Sequence, residues 1–330
     1  MAEKKPSILI TGANGFVGAR LCRKFINEGF IVYAGVRRTA DLSRLSDLTV
    51  QLRYGDMTNP ESLPEMVAGV DYIIHNAGVV KANNKKVFFD NNETGTVNLL
   101  KATVEYNPNV KKFIYISSLS AAGPSIANNP VSESDEPHPL TTYGHSKLAG
   151  ERKSLSFADQ ISVLSIRPPG IYGPGDTEIL SFFQTVNNRI KPYIGNCSRK
   201  LQLVHVDDLC RGIFMAMMSE TKSGEIYFIA DKDAYTMKEL ITNLQISIGR
   251  SAIPVYIPSA IFKLIARITQ SVSKLFGITP MLTVEKAHEL LASWEMSVNK
   301  AKQDFGFESE IKFVDGARET YQWYKKEGWI

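Results

Sequence analysis

A glycine-rich turn close to the start of the chain constrains its fold more than any other feature of the sequence. The turn reads TGANGFVG over residues 11–18 and joins an apolar run, Ser7–Thr11, to a helical pattern over Phe16–Asn27. Glycines at such a junction permit a tight turn, a close approach of the backbone to a ligand and close packing of the helix on the strand. The helix adds unpaired N–H groups and the positive end of its dipole, which together bind phosphate. The residues predicted to bind the pyrophosphate of a dinucleotide are Gly12, Gly15, Phe16, Val17 and Gly18.

Apolar strands and helical patterns alternate along the first half of the chain. After the first strand come the runs Ile31–Val36, 50–54, 72–76 and 112–117, with a helical stretch over 91–106. This alternation is typical of βαβ units and a parallel sheet. Buried parallel strands read as continuous apolar runs, as KFIYIS and DYIIHNA do here. The sequence therefore predicts an α/β fold built on a parallel sheet.

The pattern changes after Arg167, where PPGIYGPG places turn-forming residues at 168–175. The later helical stretches are 236–248, Ser259–Leu275 and 284–293. We therefore expect two domains. Residues 1–168 bind the dinucleotide, with a segment at about 203–230 crossing back to that domain, and residues 169–330 form a smaller mixed α/β cap that binds the substrate.

The end of the second strand bears on the choice of dinucleotide. An acidic residue there hydrogen-bonds the ribose 2′-hydroxyl of NAD, whereas arginine suits the 2′-phosphate of NADP. Here Val36 is followed by Arg37 and Arg38, and no acidic residue occurs before Asp41. Because the planar guanidinium pairs well with phosphate, the sequence favours NADP, bound by Arg37, with NAD as the alternative. Two solvated surface arginines are the other interpretation of these residues.

Two further strand ends supply candidate cofactor contacts. Asp56, with Met57 beside it, follows a strand and either accepts a hydrogen bond from an adenine amino group or forms a simple turn. Ala77 and Gly78 end another strand with small residues, as a cofactor lying against the sheet edge requires. His75, just before them, is interpreted as a hydrogen-bonded core histidine.

A serine pair and a YxxxK pattern carry the candidate chemistry. Ser117 and Ser118 end a strand, and Tyr143 and Lys147 lie at the start of a predicted helix. Positions i and i+4 share a helix face, so the tyrosine and the lysine lie side by side. Tyrosine, whose ordinary pKa is about 10, is a weak base at neutral pH. An adjacent ammonium is expected to lower that pKa and make the hydroxyl a usable acid and base, while a serine hydroxyl stabilises charge on a substrate oxygen.

Charge and cysteine content argue against other classes of function. The 330-residue chain has a net charge of +4 and its Lys and Arg residues are dispersed, which gives no reason to expect a nucleic-acid partner. Cys22, Cys197 and Cys210 are far apart and no Cys/His cluster suggests a metal, so reduced cytoplasmic thiols are expected. No stretch resembles a signal peptide and no uncharged apolar run reaches about 18 residues, so we expect no membrane span.

These motifs together resemble the extended short-chain dehydrogenases/reductases of the NAD-dependent epimerase/dehydratase type, over nearly the whole chain. The matching segments are TGANGFVG, the turn at Asp56, HNAG, DNNETGTVNLL, YISS, YGHSK, RPPGIYGPGD and HVDDL. The resemblance implies a Rossmann-type, doubly wound parallel sheet that binds NAD(P), a C-terminal substrate domain and a cleft between them. It also implies a small-molecule substrate and a homodimer, commonly formed through helices that include the one bearing Tyr143.

The resemblance also implies roles for single residues. The catalytic triad of the family is matched by Ser118, Tyr143 and Lys147. Ser117 is the near alternative to the first of these. Lys147, beside Tyr143, is expected to reach the nicotinamide ribose, and Pro168 and Ile171 are expected to follow the nicotinamide end of the cofactor. Asn92 matches a position linked to a proton relay or to helix support, and support is the preferred interpretation here.

The residues after Ser118 depart from the nucleotide-sugar dehydratases of the family. Those enzymes usually carry an acidic pair there, whereas this chain has Leu119, Ser120 and Ala121. No carboxylate is therefore placed to eliminate water.

A second departure precedes HVDDL. Nucleotide-sugar enzymes commonly carry an Arg-Asp pair where this chain has Leu201 and Gln202, although Arg199 and Lys200 lie close enough to substitute. The sequence YISSLSAAGPS and a C-terminal pattern over 294–324 look like the dihydroflavonol reductase and 3β-hydroxysteroid dehydrogenase branch. That branch acts on carbonyl and hydroxyl groups of bulky apolar molecules.

The segment 253–278 is unusually apolar and is interrupted by Lys263, Arg267 and Lys274. A helix with an apolar face and basic residues can lie on a membrane surface. Packing in the core, or a lid over an apolar substrate pocket, is the preferred interpretation, and peripheral membrane contact is the alternative.

The leading hypothesis is an NAD(P)-dependent oxidoreductase that interconverts a ketone and a secondary alcohol on a bulky, fairly apolar substrate, with Tyr143 as the acid and base. A nucleotide-sugar epimerase with tightly bound NAD is the second hypothesis. A non-catalytic dinucleotide-binding sensor is the third, and the complete Ser–Tyr–Lys set argues against it.

Overall fold

The computed structural model describes residues 5–82, 84–126, 129–275 and 282–330. In chain order the strands are β1 (Ser7–Thr11), β2 (Ile31–Val36), β3 (Gln51–Tyr54), β4 (Tyr72–His75), β5 (Lys112–Ile116), β6 (Val163–Arg167), β7 (Gly170–Tyr172), β8 (Ile190–Ile194), β9 (Lys200–Leu201), β10 (Leu203–His205), β11 (Glu225–Phe228), β12 (Tyr235–Thr236) and β13 (Ile253–Ile257). The helices are α1 (Phe16–Asn27), α2 (Pro64–Val67), α3 (Lys85–Phe89), α4 (Gly95–Tyr106), α5 (Leu119–Ala122), α6 (Thr142–Leu155), α7 (Leu180–Asn187), α8 (Val206–Met218), α9 (Met237–Ile248), α10 (Ser259–Leu275), α11 (Val284–Leu291), α12 (Asn299–Phe305) and α13 (Phe313–Lys326).

Seven strands form one parallel sheet in the order β11-β6-β5-β4-β1-β2-β3. Strands β2 and β3 lie on one side of β1 in the sheet, and β4, β5 and β6 follow on the other side. This reversal is the doubly wound topology, which leaves a crevice at the carboxyl ends of β1 and β4. The predicted α/β class with a Rossmann-type sheet is confirmed. The edge strand β11 pairs with β6, although in the sequence it comes after Arg167, where the pattern changes.

Both faces of the sheet are covered, and β1 shows how. Ile8 and Ile10 pack into the core that α1 and α8 share, whereas Leu9 packs into a second core with Leu99 and Leu100 of α4. Because side chains alternate between the two faces of a strand, a strand covered on both faces needs apolar residues at every position. This requirement explains the continuous apolar runs in the sequence.

The C-terminal part adds a third core outside the sheet. Helices α7, α9 and α13 contribute Phe183, Leu244 and Tyr324, which pack with Tyr193 of β8. Three short strand pairs lie within this part of the chain: β7 with β10, β9 with β12, and β8 with β13. Since β7 begins only a few residues after β6 ends, this layer lies next to the carboxyl edge of the sheet.

Two predicted helices differ from the observed ones. The stretch predicted over 91–106 is not one regular helix, because Asp90–Thr94 form a π-helical turn before α4 begins at Gly95. Such turns insert an extra residue and often occur at functional sites. The helix predicted over 284–293 ends at Leu291, since Ala292 is already extended.

The apolar segment predicted over 253–278 is divided between strand, helix and undescribed residues. It forms β13 and α10 as far as Leu275, and its last three residues, 276–278, lie outside the described residues. Only Phe262 and Ala266 of α10 are buried among its described side chains. The expectation of core packing therefore holds for one face of the helix and is wrong for the other.

A buried ion pair fastens α6 to the sheet. Arg167, the last residue of β6, donates through Nε and Nη2 to the carboxylate of Glu151 in α6, at 2.9 and 2.5 Å. The Ser165 hydroxyl donates to the same carboxylate at 2.9 Å. The side chains of Arg167 and Glu151 are only 2% and 1% exposed. Either charge alone would be uncompensated in a low-dielectric interior, so the pair holds the helix in one position.

Replacing Glu151 by Gln should destabilise the protein, because Arg167 would keep a buried charge without a counter-ion. We expect the free energy of unfolding, measured by urea denaturation, to fall by about 3–5 kcal/mol. The double variant Glu151→Leu/Arg167→Met removes both charges and should be clearly more stable than Glu151→Gln. A single variant as stable as the wild type would contradict this role of the pair.

Candidate active site

Close backbone contacts shape the glycine-rich turn at the carboxyl end of β1. Gly12 has a φ of +64°, a left-handed value that glycine adopts readily. A Cβ on Gly12 would lie 2.9 Å from Cα of Ala77, and a Cβ on Gly18 would lie 2.1 Å from the carbonyl oxygen of Gly12. Both positions therefore exclude a side chain, and α1 packs directly against the turn.

The first turn of α1 is suited to an anionic group. Gly15 is the cap residue, so no side chain binds the first N–H groups of the helix, and no acidic residue lies in its first turn. Phe16 and Val17, which follow, are partly exposed. A helix amino terminus of this kind binds phosphate. The turn and the helix thus fit the pyrophosphate of a nicotinamide dinucleotide.

Arg37 and Asp56 lie close together at the ends of β2 and β3. Arg37 is exposed, and its charge acts on the carboxylate of Asp56. That carboxylate accepts hydrogen bonds from the N–H and the hydroxyl of Thr58, at 2.9 and 2.8 Å. Burial acts to raise the pKa of Asp56, but these hydrogen bonds and Arg37 hold it below its ordinary value. Asp56 therefore forms a turn, and its contact with adenine stays a prediction. The Met57 carbonyl accepts from the Asn98 amide at 2.8 Å.

His75 is a hydrogen-bonded core histidine, as the sequence predicts. Its Nδ1 lies 2.8 Å from Oγ1 of Thr11, and its Nε2 lies 3.0 Å from Oγ1 of Thr96. Burial, with a smaller effect of the Lys147 charge, lowers the pKa of His75 to about 3, so the ring is neutral. The Ala77 N–H donates to the same Thr11 hydroxyl at 3.1 Å. His75 thus supports the ends of β1 and β4 through hydrogen bonds to Thr11 and Thr96.

Ser118 and Tyr143 meet where α5 and α6 begin. Thr141 caps α6 by accepting a hydrogen bond from the Gly144 N–H at 3.0 Å. Ser118, partly exposed, caps α5, and its hydroxyl lies beside that of Tyr143. Ser117 is almost fully buried, and its hydroxyl has no partner among the described residues. Of the two serines, Ser118 is the one placed next to the tyrosine.

Lys147 lies on the same face of α6 but is directed at the sheet. Its Nζ donates to the carbonyl of Ile116 at 2.7 Å and lies 4.2 Å from the ring centroid of Tyr115. Burial lowers the pKa of Lys147 to about 7, against a smaller raising effect of Glu151. A Cβ on Gly78 would lie 3.7 Å from this Nζ, so the lysine adjoins the strand end that contacts the glycine-rich turn.

The expectation that Lys147 lowers the pKa of Tyr143 is wrong for the folded chain. Burial raises the pKa of Tyr143 to about 12, although the Ser118 hydroxyl acts in the opposite direction. The physical reason is that Lys147 donates to the end of β5 and that burial disfavours the charged form of both side chains.

Asn92, in the π-helical turn, has the structural role preferred from the sequence. Its side-chain amide binds both backbone polar groups of Val79. The amide oxygen accepts from the N–H at 2.7 Å, and the amide nitrogen donates to the carbonyl at 2.9 Å. It also donates to the Ser146 hydroxyl of α6 at 2.9 Å. A Cβ on Gly78 would lie 3.0 Å from Oδ1 of Asn92. Asn92 therefore joins the strand end after β4 to the helix that carries Tyr143.

Pro168 and Ile171 follow the end of β6 at the same edge of the sheet. The carbonyl of Pro168 accepts a hydrogen bond from the Leu119 N–H at 2.8 Å, which brings it next to the residue after Ser118. Ile171 is partly buried in β7 and pairs with Val204 of β10.

Three glutamates that no sequence motif indicates lie near Tyr143 and its neighbour Thr142. Glu285 of α11 accepts hydrogen bonds from the N–H and the hydroxyl of Thr142, at 3.1 and 3.0 Å. Glu289 and Glu178 lie close enough to Tyr143 to act on its pKa, in the raising direction. No motif signals these residues, because the packing of distant segments brings them to the site.

The residues in place of the Arg-Asp pair are engaged in structural contacts. The Gln202 amide is buried and binds two backbone groups, at 2.5 and 2.9 Å. Lys200 forms an ion pair with Glu295 at 2.8 Å. Arg199 is buried, and its Nη1 donates to two backbone carbonyls, whereas its Nε and Nη2 have no partner among the described residues. The ion pair with Glu295 does not favour Lys200 as a substitute for the missing arginine, whereas Arg199 keeps two donors.

Known proteins share this fold and these sequence features. A sequence model of the NAD dependent epimerase/dehydratase family matches residues 8–230. Ceramide reductase of Caulobacter vibrioides (strain NA1000 / CB15N) is 29% identical over 98% of this chain and 96% of its own length. For 3-beta-hydroxysteroid dehydrogenase of Mycolicibacterium neoaurum the identity is 28%, over 96% of this chain and 91% of its own. The crystal structure of gox2253 superposes with a TM-score of 0.83 at 25% identity, covering 98% of this chain and 99% of its own.

These matches confirm the predicted resemblance to the extended short-chain dehydrogenases/reductases, and with it an enzyme that uses a nicotinamide dinucleotide.

Lys147 should make the stability of the protein depend on pH. Its pKa falls from 10.5 to about 7 on folding, so between these values the unfolded chain binds more protons and stability rises with pH. Below the lower value the cost of the buried charge is fully present. Lys147→Met removes this cost, so its free energy of unfolding relative to the wild type should be highest near pH 6 and fall towards pH 10.

Urea denaturation at each pH measures this difference, and Lys101→Met, which replaces an exposed lysine of α4, is the control. A relative stability of Lys147→Met that stays constant over the window would contradict a lysine titrating near neutral pH.

Proposed function

The chain belongs to the NAD dependent epimerase/dehydratase family, and from that premise we propose that it interconverts a ketone and a secondary alcohol as an NAD(P)-dependent reductase or dehydrogenase. Tyr143 acts as acid and base, and the substrate is bulky and largely apolar. The observation that carries the proposal is the meeting of Ser118 and Tyr143 at the carboxyl edge of the sheet, with Lys147 on the same helix face. The glycine-rich turn adjoins them through Ala77 and Gly78.

Two relatives support this substrate class. Their names, ceramide reductase and 3-beta-hydroxysteroid dehydrogenase, describe redox chemistry on a ceramide and on a 3β-hydroxysteroid. Both compounds are large and apolar. The sequence of this chain points in the same direction through YISSLSAAGPS and its C-terminal pattern.

The site residues suit the reduction of a ketone. When bound, the dinucleotide supplies hydride to the carbonyl carbon. Tyr143 donates its proton to the carbonyl oxygen, for which a phenol that stays protonated at neutral pH is suited. The Ser118 hydroxyl beside it donates a hydrogen bond to the same oxygen and stabilises the negative charge that develops there. Lys147 titrates near neutral pH and so can take part in returning a proton to Tyr143.

The contacts of the C-terminal part support a reductase over a nucleotide-sugar epimerase. Gln202 is uncharged and its amide binds backbone groups, and the Lys200 ammonium is paired with Glu295, so neither offers a free cation to a diphosphate. No carboxylate follows Ser118 directly. An epimerase would moreover return the hydride to its substrate and would show no net use of cofactor, which an assay separates from reduction.

Several broader features stay predictions. We propose that residues 1–168, with the strand β11, bind the dinucleotide and that residues 169–330 otherwise bind the substrate. The preference for NADP rests on Arg37, which forms no ion pair within the part of the chain that the structure describes. A homodimer and a cytoplasmic location rest on the family resemblance and on the reduced cysteines.

Replacing Tyr143 by Phe should lower kcat by about 10²–10⁴-fold, because the proton donor is lost. The assay follows NADPH consumption with a long-chain 3-oxo amide and with a 3-oxosteroid. Cofactor affinity, measured by fluorescence titration, should stay near that of the wild type. Tyr172→Phe is the matched control, since this buried hydroxyl has no partner among the described residues.

Activity that survives Tyr143→Phe would overturn its role. Conversion of UDP-glucose by the wild type without net use of NAD, in place of ketone reduction, would support the epimerase.

Replacing Arg37 by Ser should weaken NADPH binding by about 10–100-fold, the effect of losing a charged hydrogen bond to phosphate. NADH binding should change little, because NADH has no 2′-phosphate. Arg38→Ser is the control, since the Arg38 guanidinium stacks over the Tyr54 ring at 5.0 Å. Equal losses for both dinucleotides, or a wild type that prefers NADH, would contradict the assignment of Arg37.

A further inference from the structure

Helix α10 presents an apolar stripe to the outside of the protein. Its residues recur at the spacing of one helix face, and each is between 44% and 56% exposed: Ile261, Leu264, Ile265, Ile268 and Val272. Strand β13, which leads into the helix, adds the exposed side chains of Ile253 and Tyr256. A contiguous apolar surface of this kind on a folded chain marks an interaction site. We call the stripe on α10 the outward face.

The segment of chain that bears the outward face has charge of a single sign. Residues 240–284 contain no Asp or Glu, and their charged residues are Arg250, Lys263, Arg267 and Lys274. This segment therefore carries a charge of +4, equal to the net charge of the whole chain. Positive and negative residues are equal in number over the rest of the chain. Lys263 and Arg267 lie one turn apart, next to the apolar stripe. Apolar residues bordered by basic ones, with no carboxylate, complement an anionic lipid surface.

The opposite face of α10 is fixed to the cap. Phe262 and Ala266 are buried and pack with Ala287 of α11. Helix α11 in turn holds Thr142, next to the catalytic tyrosine, through Glu285. The apolar residues of α10 thus divide into a buried set that joins the fold and an exposed set that does not.

We propose that the outward face of α10 binds peripherally to the surface of an anionic lipid bilayer. The helix lies in the plane of the interface, with its apolar residues in the acyl boundary and Lys263 and Arg267 at the level of the headgroups. No helix within the described ranges is long and apolar enough to cross a membrane. The proposal goes beyond the oxidoreductase function and does not depend on it.

A second copy of the chain fits this face less well. Two copies meeting there would bring two basic segments together, and neither copy has a carboxylate within 240–284 to pair with them. Like charges brought together in this way oppose association. An anionic bilayer supplies the missing negative charge.

Vesicle co-sedimentation of the full chain tests the proposal. The probes are vesicles of phosphatidylcholine alone and vesicles of phosphatidylcholine mixed with phosphatidylglycerol. The wild type should bind the mixed vesicles and bind the neutral ones weakly. Leu264→Gln/Ile268→Gln should reduce binding to background, and Lys263→Gln/Arg267→Gln should weaken binding to the mixed vesicles by about 30-fold.

Two control variants make the same chemical changes elsewhere. Met218→Gln replaces an apolar residue of similar exposure on α8, and Lys101→Gln/Lys153→Gln removes two exposed positive charges from α4 and α6. Both should bind like the wild type. Thermal unfolding verifies that each variant is folded, and if the apolar double variant is not, the charge variant and its control still decide the outcome.

A wild type that does not sediment with the mixed vesicles would overturn the proposal, as would equal losses in the test and control variants. Sedimentation velocity addresses the second copy. A wild-type dimer that Leu264→Gln/Ile268→Gln converts to a monomer, with no vesicle binding by the wild type, would assign the outward face to self-association.

Discussion

The buried ion pair between Glu151 and Arg167 determines where the chemical groups of this protein lie. Tyr143, Lys147 and Glu151 follow one another at intervals of four residues and so share one face of α6. Arg167 ends β6, which lies between β5 and β11 within the sheet. Because three hydrogen bonds, two from Arg167 and one from Ser165, fix Glu151 to that strand, the other two residues are positioned relative to the sheet.

Burial at this site raises the pKa of Tyr143 and lowers the pKa of Lys147. It disfavours the charged form of each group, so Tyr143 keeps its proton and Lys147 loses its proton readily near neutral pH. The sequence alone does not show what surrounds the pair, and it predicts instead that the ammonium lowers the pKa of the phenol. In the folded protein the carbonyl of Ile116 takes the lysine's hydrogen bond. A protonated tyrosine is suited to give a proton to a ketone oxygen, which agrees with the role proposed for Tyr143.

Local patterns predicted the parts of the structure that local physics determines. The glycine-rich turn, the apolar strands and His75 follow from steric needs and burial within a few residues, and they could be identified from the sequence. The choice between Ser117 and Ser118 could not, because it depends on the residue at which β5 ends. The glutamates around Tyr143 were also missed. Glu285 reaches Thr142 across 143 positions of the chain, and no periodicity encodes such a contact.

The contact between Glu285 and Thr142 connects the cap to the chemistry. The amino end of α6 carries the positive end of the helix dipole, so a carboxylate there is favourable in itself. Helix α11 is therefore held by electrostatics at one side and by the packing of Ala287 against α10 at the other. The contact of α10 with α11 and the contact of Glu285 with Thr142 thus link the outward face to the residue next to Tyr143. An apolar substrate that enters from a lipid surface would thus meet the protein at a helix that is linked through α11 to Thr142, next to the proposed proton donor.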